Sequence, residues 1–251
     1  MPVFLRHQIR TMSNGKTVTT VRRKSYARRE LYATTATAVV LSAGLLSVHL
    51  PGSFSQDSLF MLNDSLTTKI GHFEEWYSPA YTLMWKIMIS ALAAIHLSPF
   101  IQVSSMCVLQ TLLIVGSLVY LLYVHTNTWK VTAGFAAAII VSPAVFIYFG
   151  EIWRDVLMAA FLLLAVCFLD CSRRTGSRAM AVAALSVLFL ASLIRQNAFI
   201  AELPLFFWTG LIWHRGSPRP VIRALASAGA LIVMFAVLWS VTTSGLAATN
   251  Y

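Results

Sequence analysis

Charge is what this chain has least of. Nine acids and nineteen basic residues are spread over 251 positions, so charged residues make up 11% of the sequence. A soluble domain carries about a quarter. Hydrophobic residues reach 58% and mean hydropathy is +0.72. That balance excludes a water-soluble globule and leaves a lipid bilayer as the fitting solvent. Segments alternating apolar and polar residues are also missing, which excludes a closed β-barrel. What remains is an all-α integral membrane protein, whose apolar runs cross a core of about 30 Å at about 1.5 Å per residue.

Cysteine is nearly as scarce. Cys107, Cys167 and Cys171 are the three present, and no histidine or carboxylate cluster accompanies them. That excludes a disulfide framework and a thiolate metal centre, and the thiols read as inert. A Walker-type glycine loop, GxSxG, HExxH and CxxC are all absent. So are internal repeats, a heptad seam and low-complexity blocks. His72 and His96 stand isolated, and Gly116, Gly134 and Gly229 inside apolar runs read as close-packing positions between helices.

The apolar runs themselves cover 32–50, 101–124, 131–149, 156–170, 179–194, 198–213 and 224–243. Pro143 and Pro204 fall within two of them and predict kinks. An eighth stretch, Ala80 to Leu97, is short for a span and carries Lys86 near its middle. Whether it crosses decides the side of every later loop, and charge settles the matter. Lysine- and arginine-rich loops stay in the cytoplasm. The arm from Arg6 to Glu30 is basic and nearly free of acid, so the N-terminus is cytoplasmic. It is too long and polar for a signal-peptide n-region, and the first run is expected to remain as an anchor. Nucleic acid is one partner for such an arm. Its juxtamembrane place suits a topogenic signal touching anionic lipid, and no nucleic-acid partner is assigned.

The loop after the first run holds Asp57, Asp64, Glu74 and Glu75 against Lys69 alone, which suits the exterior. The basic loops Asp170–Arg178 and His214–Arg223 fall inside only if 80–97 lies along the outer interface as a helix. Trp85 and Lys86 then sit at headgroup level. The chain divides into a basic cytoplasmic arm, 1–30, and one polytopic membrane domain, 31–251. The domain has seven spans, with a first outer loop, 51–100, that carries the interfacial helix.

This bookkeeping brings several charges to one face. "GEIWRD", with Glu151, Arg154 and Asp155, lies outside, as do Arg195, Gln196 and Asn197 and the first loop with Asp57 and the Glu74/Glu75 pair. For Asp64, Lys69 and Glu151 a solvated role suffices. A carboxylate serves as general base toward a hydroxyl or binds a divalent metal, and arginine grips a phosphate through its planar fork. For Asp57 and the glutamate pair an ordinary solvated loop is the competing reading; for Arg195 it is a snorkelling residue at a short turn. Glu202, inside a span, faces the bundle and pairs, with Arg195 two turns back or with a polar cavity.

At this point the pattern resembles the GT-C superfamily of membrane glycosyltransferases, which take sugars from lipid-phosphate donors. Asp57 matches the acid that follows the first span of such proteins. "EEWYSPAYTLMWKIM" resembles the segment that starts their interfacial helix, with Tyr77 and Ser78 where relatives often carry His-Pro. "WRDVLMAAFLLL" matches the re-entering acid, Asp155, and "LIRQNAFIAELP" an outer-face arginine/asparagine motif of bacterial relatives. The resemblance runs over roughly 30–243 and implies a multi-pass protein of the bacterial inner membrane. It implies Asp57 as acceptor-activating base or metal ligand and Asp155 as a second acid near the metal or donor phosphate. Arg154 and Arg195 would hold phosphate, with Gln196, Asn197, Glu74, Glu75, Trp76 and Tyr77 binding substrate. A divalent ion, magnesium or manganese, is the cofactor it implies. The donor would be a polyprenyl-phosphate sugar and the acceptor an envelope glycan, lipid or protein. A non-catalytic scaffold or flippase-like partner of envelope assembly is the second reading. A solute carrier fits less well, because broken-helix pairs and repeat symmetry are missing.

Overall fold

A computed structural model describes residues 16–69, 73 and 78–246 of the chain. Glu74, Glu75, Trp76 and Tyr77 lie outside the described residues. The elements in order are α1 (Lys16–His49), α2 (Gln56–Thr67), α3 (Pro79–Ala94), α4 (Pro99–Thr126) and α5 (Trp129–Val141). There follow α6 (Pro143–Gly150), α7 (Arg154–Thr175), α8 (Arg178–Ile194), α9 (Ala198–Trp213) and α10 (Pro220–Leu246). No strand occurs among the described residues; an isolated parallel bridge joins Ser53 to Glu151. The all-α class follows from the composition, since a helix satisfies its own backbone in lipid.

Four helical segments are long and apolar enough to cross a membrane: Arg28–His49, Pro99–Thr126, Arg154–Thr175 and Pro220–Gly245. The expected run 131–149 is broken instead of merely kinked, so one bent helix pair is present where the sequence reads as having none. α5 and α6 meet at Ser142 with a bend of 77° and count as a fifth span only if taken together. Pro143 is the cause, because it sits at the first position of α6 and denies α5 a backbone donor there. Pro204, in contrast, lies inside an uninterrupted α9. α8 and α9 are apolar but only 17 and 16 residues long. At about 1.5 Å per residue they reach about 25 Å.

Helix ends follow local chemistry. The Ser55 hydroxyl accepts the Ser58 N–H and caps α2. Pro79 and Pro99 occupy the first turns of α3 and α4. Asn127 and Gly176 close α4 and α7 in the left-handed conformation, where glycine carries no steric cost.

Three apolar clusters hold the bundle. Met61, Trp85, Met106, Ile152 and Leu157 join α2, α3, α4 and α7. Leu169, Leu188, Phe206 and Phe235 join α7 to α10. Leu45, Val115, Ile140 and Phe149 tie α1, α4, α5 and α6 together. Outside them, Val40, Ile147, Ile200 and Val237 are exposed, which suits a hydrocarbon surround.

Two side-chain bonds seat α3. Ser78, at its start, donates its hydroxyl to Leu193 O at the end of α8 at 3.0 Å. Lys86, halfway along, donates to Ser65 O at 2.9 Å. Three turns into α4, Gln110 Nε2 still donates to Glu151 O, beyond the end of α6, at 2.7 Å. The start of α3 thus lies against the end of α8, and its middle against the end of α2. Trp85 departs from expectation, however. It is fully buried, stacked on Phe54 and edge-on to Tyr81, and faces the core instead of headgroups.

The glycine expectation is also corrected. A Cβ placed at Gly116, Gly134 or Gly229 would meet nothing within 4 Å. The close approach is at Gly210, where a Cβ would lie 2.7 Å from Ala224 O and 2.8 Å from Ala224 Cα. That contact lets α9 and α10 pack backbone to backbone.

Candidate functional site

The site starts from a backbone clip. Ser53 N–H donates to Gly150 O at 2.6 Å, and Ile152 N–H donates back to Ser53 O at 3.1 Å. The buried Ser58 hydroxyl adds a bond to Ile152 O. These bonds fasten the loop after α1 and the first turn of α2 to the residues just before α7. Gln110 secures the same stretch from α4 through Phe149 O and Glu151 O, at 3.4 and 2.7 Å. Asp57, in the first turn of α2, and Arg154, first in α7, are neighbours for that reason.

Two carboxylate–guanidinium pairs result. Arg154 Nη2 lies 3.8 Å from Asp57 Oδ2, and Arg195 Nη1 donates to Asp155 Oδ2 at 2.5 Å. None of the four is sealed off, with side-chain exposures of 21% for Arg154, 61% for Asp57, 34% for Arg195 and 44% for Asp155. Pairs this exposed contribute about 0–1 kcal/mol to stability. They are therefore weak as structural ties, and their charges stay open to an incoming ligand.

A cavity of about 440 Å³ adjoins them. Arg154, Arg195, Gln196 and Asn197 line it with Ser78 from the start of α3, and Trp239, Thr243 and Ser244 close it from α10. Asp155 lies on the other side of α7. It borders a mostly apolar cavity of about 560 Å³ with Tyr148, Phe149 and Trp153, where the bent α5–α6 pair leaves α4 and α7 uncovered. The Arg154–Asp155 step thus divides a polar cavity from an apolar one.

Tyr81 sits buried beneath this end, with its hydroxyl unpartnered among the described residues. Burial holds the phenol well above its usual range, and the nearby Arg154 guanidinium opposes that effect only in part. The ring therefore stays neutral.

The structure pairs Asp57 with Arg154 and Asp155 with Arg195, and places both arginines with Gln196 and Asn197 on the cavity wall. Glu202 differs from one expectation. Fully buried, it accepts the Ser192 hydroxyl at 2.7 Å, not the Arg195 guanidinium. Its other oxygen has no partner among the described residues. Ser78, Trp239, Thr243 and Ser244 were missed in the sequence. Only the position of Ser78 before Pro79, and the hydroxyls in the last turn of an apolar run, could have flagged them.

Among the described residues no three His, Cys, Asp or Glu side chains converge as a metal set. Asp57 and Asp155 supply two carboxylates, a number with which magnesium is often held when water and substrate phosphate complete its shell.

No family model, curated protein or solved structure matches this chain. The functional case therefore rests on the geometry and on the sequence pattern.

Proposed function

We propose that this chain is a membrane glycosyltransferase that moves a sugar from a lipid-phosphate-linked donor to a cell-envelope acceptor on the outer face. The observation that carries the reading is a polar cavity lined by Arg154 and Arg195, each of which is paired with an acid, Asp57 from α2 and Asp155 from α7. In this reading the chain has seven spans, with α5–α6, α8 and α9 all crossing. Its cytoplasmic N-terminus sits in a bacterial inner membrane, and α3 lies on the outer surface.

The residues divide the work by their charge. Asp57, the most exposed carboxylate, takes the proton from the acceptor hydroxyl as its oxygen bonds to the anomeric carbon. The bond from that carbon to the phosphate oxygen breaks, and the lipid phosphate leaves with the electron pair. Arg154 and Arg195 offset the charge gained by the leaving phosphate. Asp155 orients Arg195 until the phosphate arrives. Gln196 and Asn197 offer hydrogen bonds to the sugar from the cavity wall. A magnesium or manganese ion held by Asp57 and Asp155 would supply further charge neutralisation at the phosphate.

The experiment is turnover of a polyprenyl-phosphate sugar by the purified chain in proteoliposomes, with and without EDTA, for the wild type, Asp57→Asn and Asp155→Asn. The expected result is a loss of at least about a hundredfold in each variant. Unchanged turnover in both overturns the assignment, and loss with EDTA assigns the metal.

The second reading, a non-catalytic scaffold or flippase-like partner in envelope assembly, draws on one observation. Each acid already faces an arginine, so the four charges are mutually compensated without substrate.

A further inference from the structure

α7 runs 22 residues from Arg154 to Thr175, about 33 Å at about 1.5 Å per residue. At its far end, opposite the paired acids, a separate cavity of about 550 Å³ opens between the α7–α8 turn and the end of α9. Arg173, Arg178 and Arg215 line it with Trp208 and Trp213, and no acid is among its lining residues.

The acid nearest in sequence is already committed. Asp170, 3% exposed, receives Arg173 Nη2 at 3.0 Å and Arg174 Nε at 2.6 Å. Arg215 is oriented by a backbone bond, Nη1 donating to Arg173 O at 3.0 Å. Arg178 opens α8 and makes no hydrogen bond or ion pair among the described residues. Two guanidiniums thus face a cavity with no carboxylate of the chain committed to them. Planar guanidinium forks suit phosphate oxygens.

The walls say which phosphate. Leu211, Ile212 and the two indoles give the cavity an apolar flank at the end of two apolar helices. Tryptophan and arginine in that position mark the headgroup layer. A free phosphate would gain nothing from that flank, whereas a lipid would lay its glycerol and upper acyl carbons along it.

We propose that this cavity binds the phosphate of an anionic lipid, with Arg178 and Arg215 as its grip and Trp208 and Trp213 as its apolar flank. The site is independent of the transferase reading and would tether the α7–α8 turn to one leaflet.

Native mass spectrometry of the full chain in detergent tests it, with phosphatidylglycerol and phosphatidylcholine of identical acyl chains as probes. The wild type is expected to retain phosphatidylglycerol about tenfold better. Arg178→Gln with Arg215→Gln should abolish the preference, and Arg178→Gln alone, which breaks no bond of the fold, should weaken it. Arg219→Gln with Arg223→Gln removes the same charge outside the cavity and should leave the preference intact. Equal retention of the two lipids by the wild type overturns the proposal, as does an equal loss in the Arg219/Arg223 variant. Displacement of the lipid by millimolar inorganic phosphate or glycerol phosphate overturns the lipid as its source.

Discussion

Arg195 has the most to lose by substitution. Its guanidinium is held by Asp155 at 2.5 Å, and its backbone N–H ends α8 on Ala191 O at 3.0 Å. Arg195→Ala keeps the backbone bond and removes the fork. In the transferase reading it raises the donor KM by about tenfold or more, while Arg195→Lys, a point charge, recovers only part. Steady-state kinetics against donor concentration separates these outcomes. Asp170 makes the opposite case. It is buried with two arginines at the far end, about 22 Å from Asp155 by helix rise along α7. Asp170→Asn should lower the thermal midpoint in detergent, by about 1–3 kcal/mol of stability, and leave turnover untouched. The identities of Asp57, Arg154, Asp155 and Arg195 were legible in the sequence because charges are rare in apolar surroundings. Their partners were not legible, since pairing depends on the Ser53–Glu151 clip, which is made by backbone atoms and carries no side-chain signature.

At the scale of the element, helix contacts are decided by which glycine meets a neighbour's backbone. Gly210 does so against Ala224, and Gly116 does not. Gly210→Ala should therefore force α9 from α10 and cost about 1–3 kcal/mol. Gly116→Ala should be neutral or stabilising by a few tenths to about 1 kcal/mol, because alanine restricts the unfolded chain. Thermal unfolding of the two variants side by side checks the contrast. Sequence could not rank these glycines, since both sit in apolar runs with no flanking cue. The same limit hid α3. Its 16 residues read as interfacial from Lys86 and the charge pattern, while the bonds that seat it, Ser78 to Leu193 O and Lys86 to Ser65 O, carried no signal in the sequence. The burial of Trp85 did not show, because Phe54, on which it stacks, lies 31 positions away in the chain. The break at Ser142–Pro143 was legible as a kink, and its 77° angle was not.

Across the whole molecule, two chemically different ends emerge. One gathers Asp57, Arg154, Asp155 and Arg195; the other gathers Asp170 with Arg173, Arg174, Arg178 and Arg215. Glu30, at the start of the first apolar stretch, accepts Trp129 N–H at 2.9 Å, and Arg174 lies 3.2 Å from His125 at the end of α4. Loop charge grouped 170–178 with 214–223, and Arg215 Nη1 does reach Arg173 O at 3.0 Å. Single cysteines at Ser98 and Thr175, in a chain lacking the native thiols, should label from opposite sides of sealed vesicles. Labelling from one side contradicts the two-ended arrangement. The contribution of α10 to the cavity, through Trp239, Thr243 and Ser244, escaped the sequence because hydroxyls near a span's end usually bond their own helix.

The claim that joins these scales is that the acidic end of the bundle transfers sugar. Its most direct test is the rate at which proteoliposomes carrying this chain release polyprenyl phosphate from a labelled donor, compared with Asp57→Asn vesicles of equal protein content and thermal midpoint. The account predicts turnover by the wild type and a loss of at least about a hundredfold in the variant. Equal rates in the two preparations contradict it.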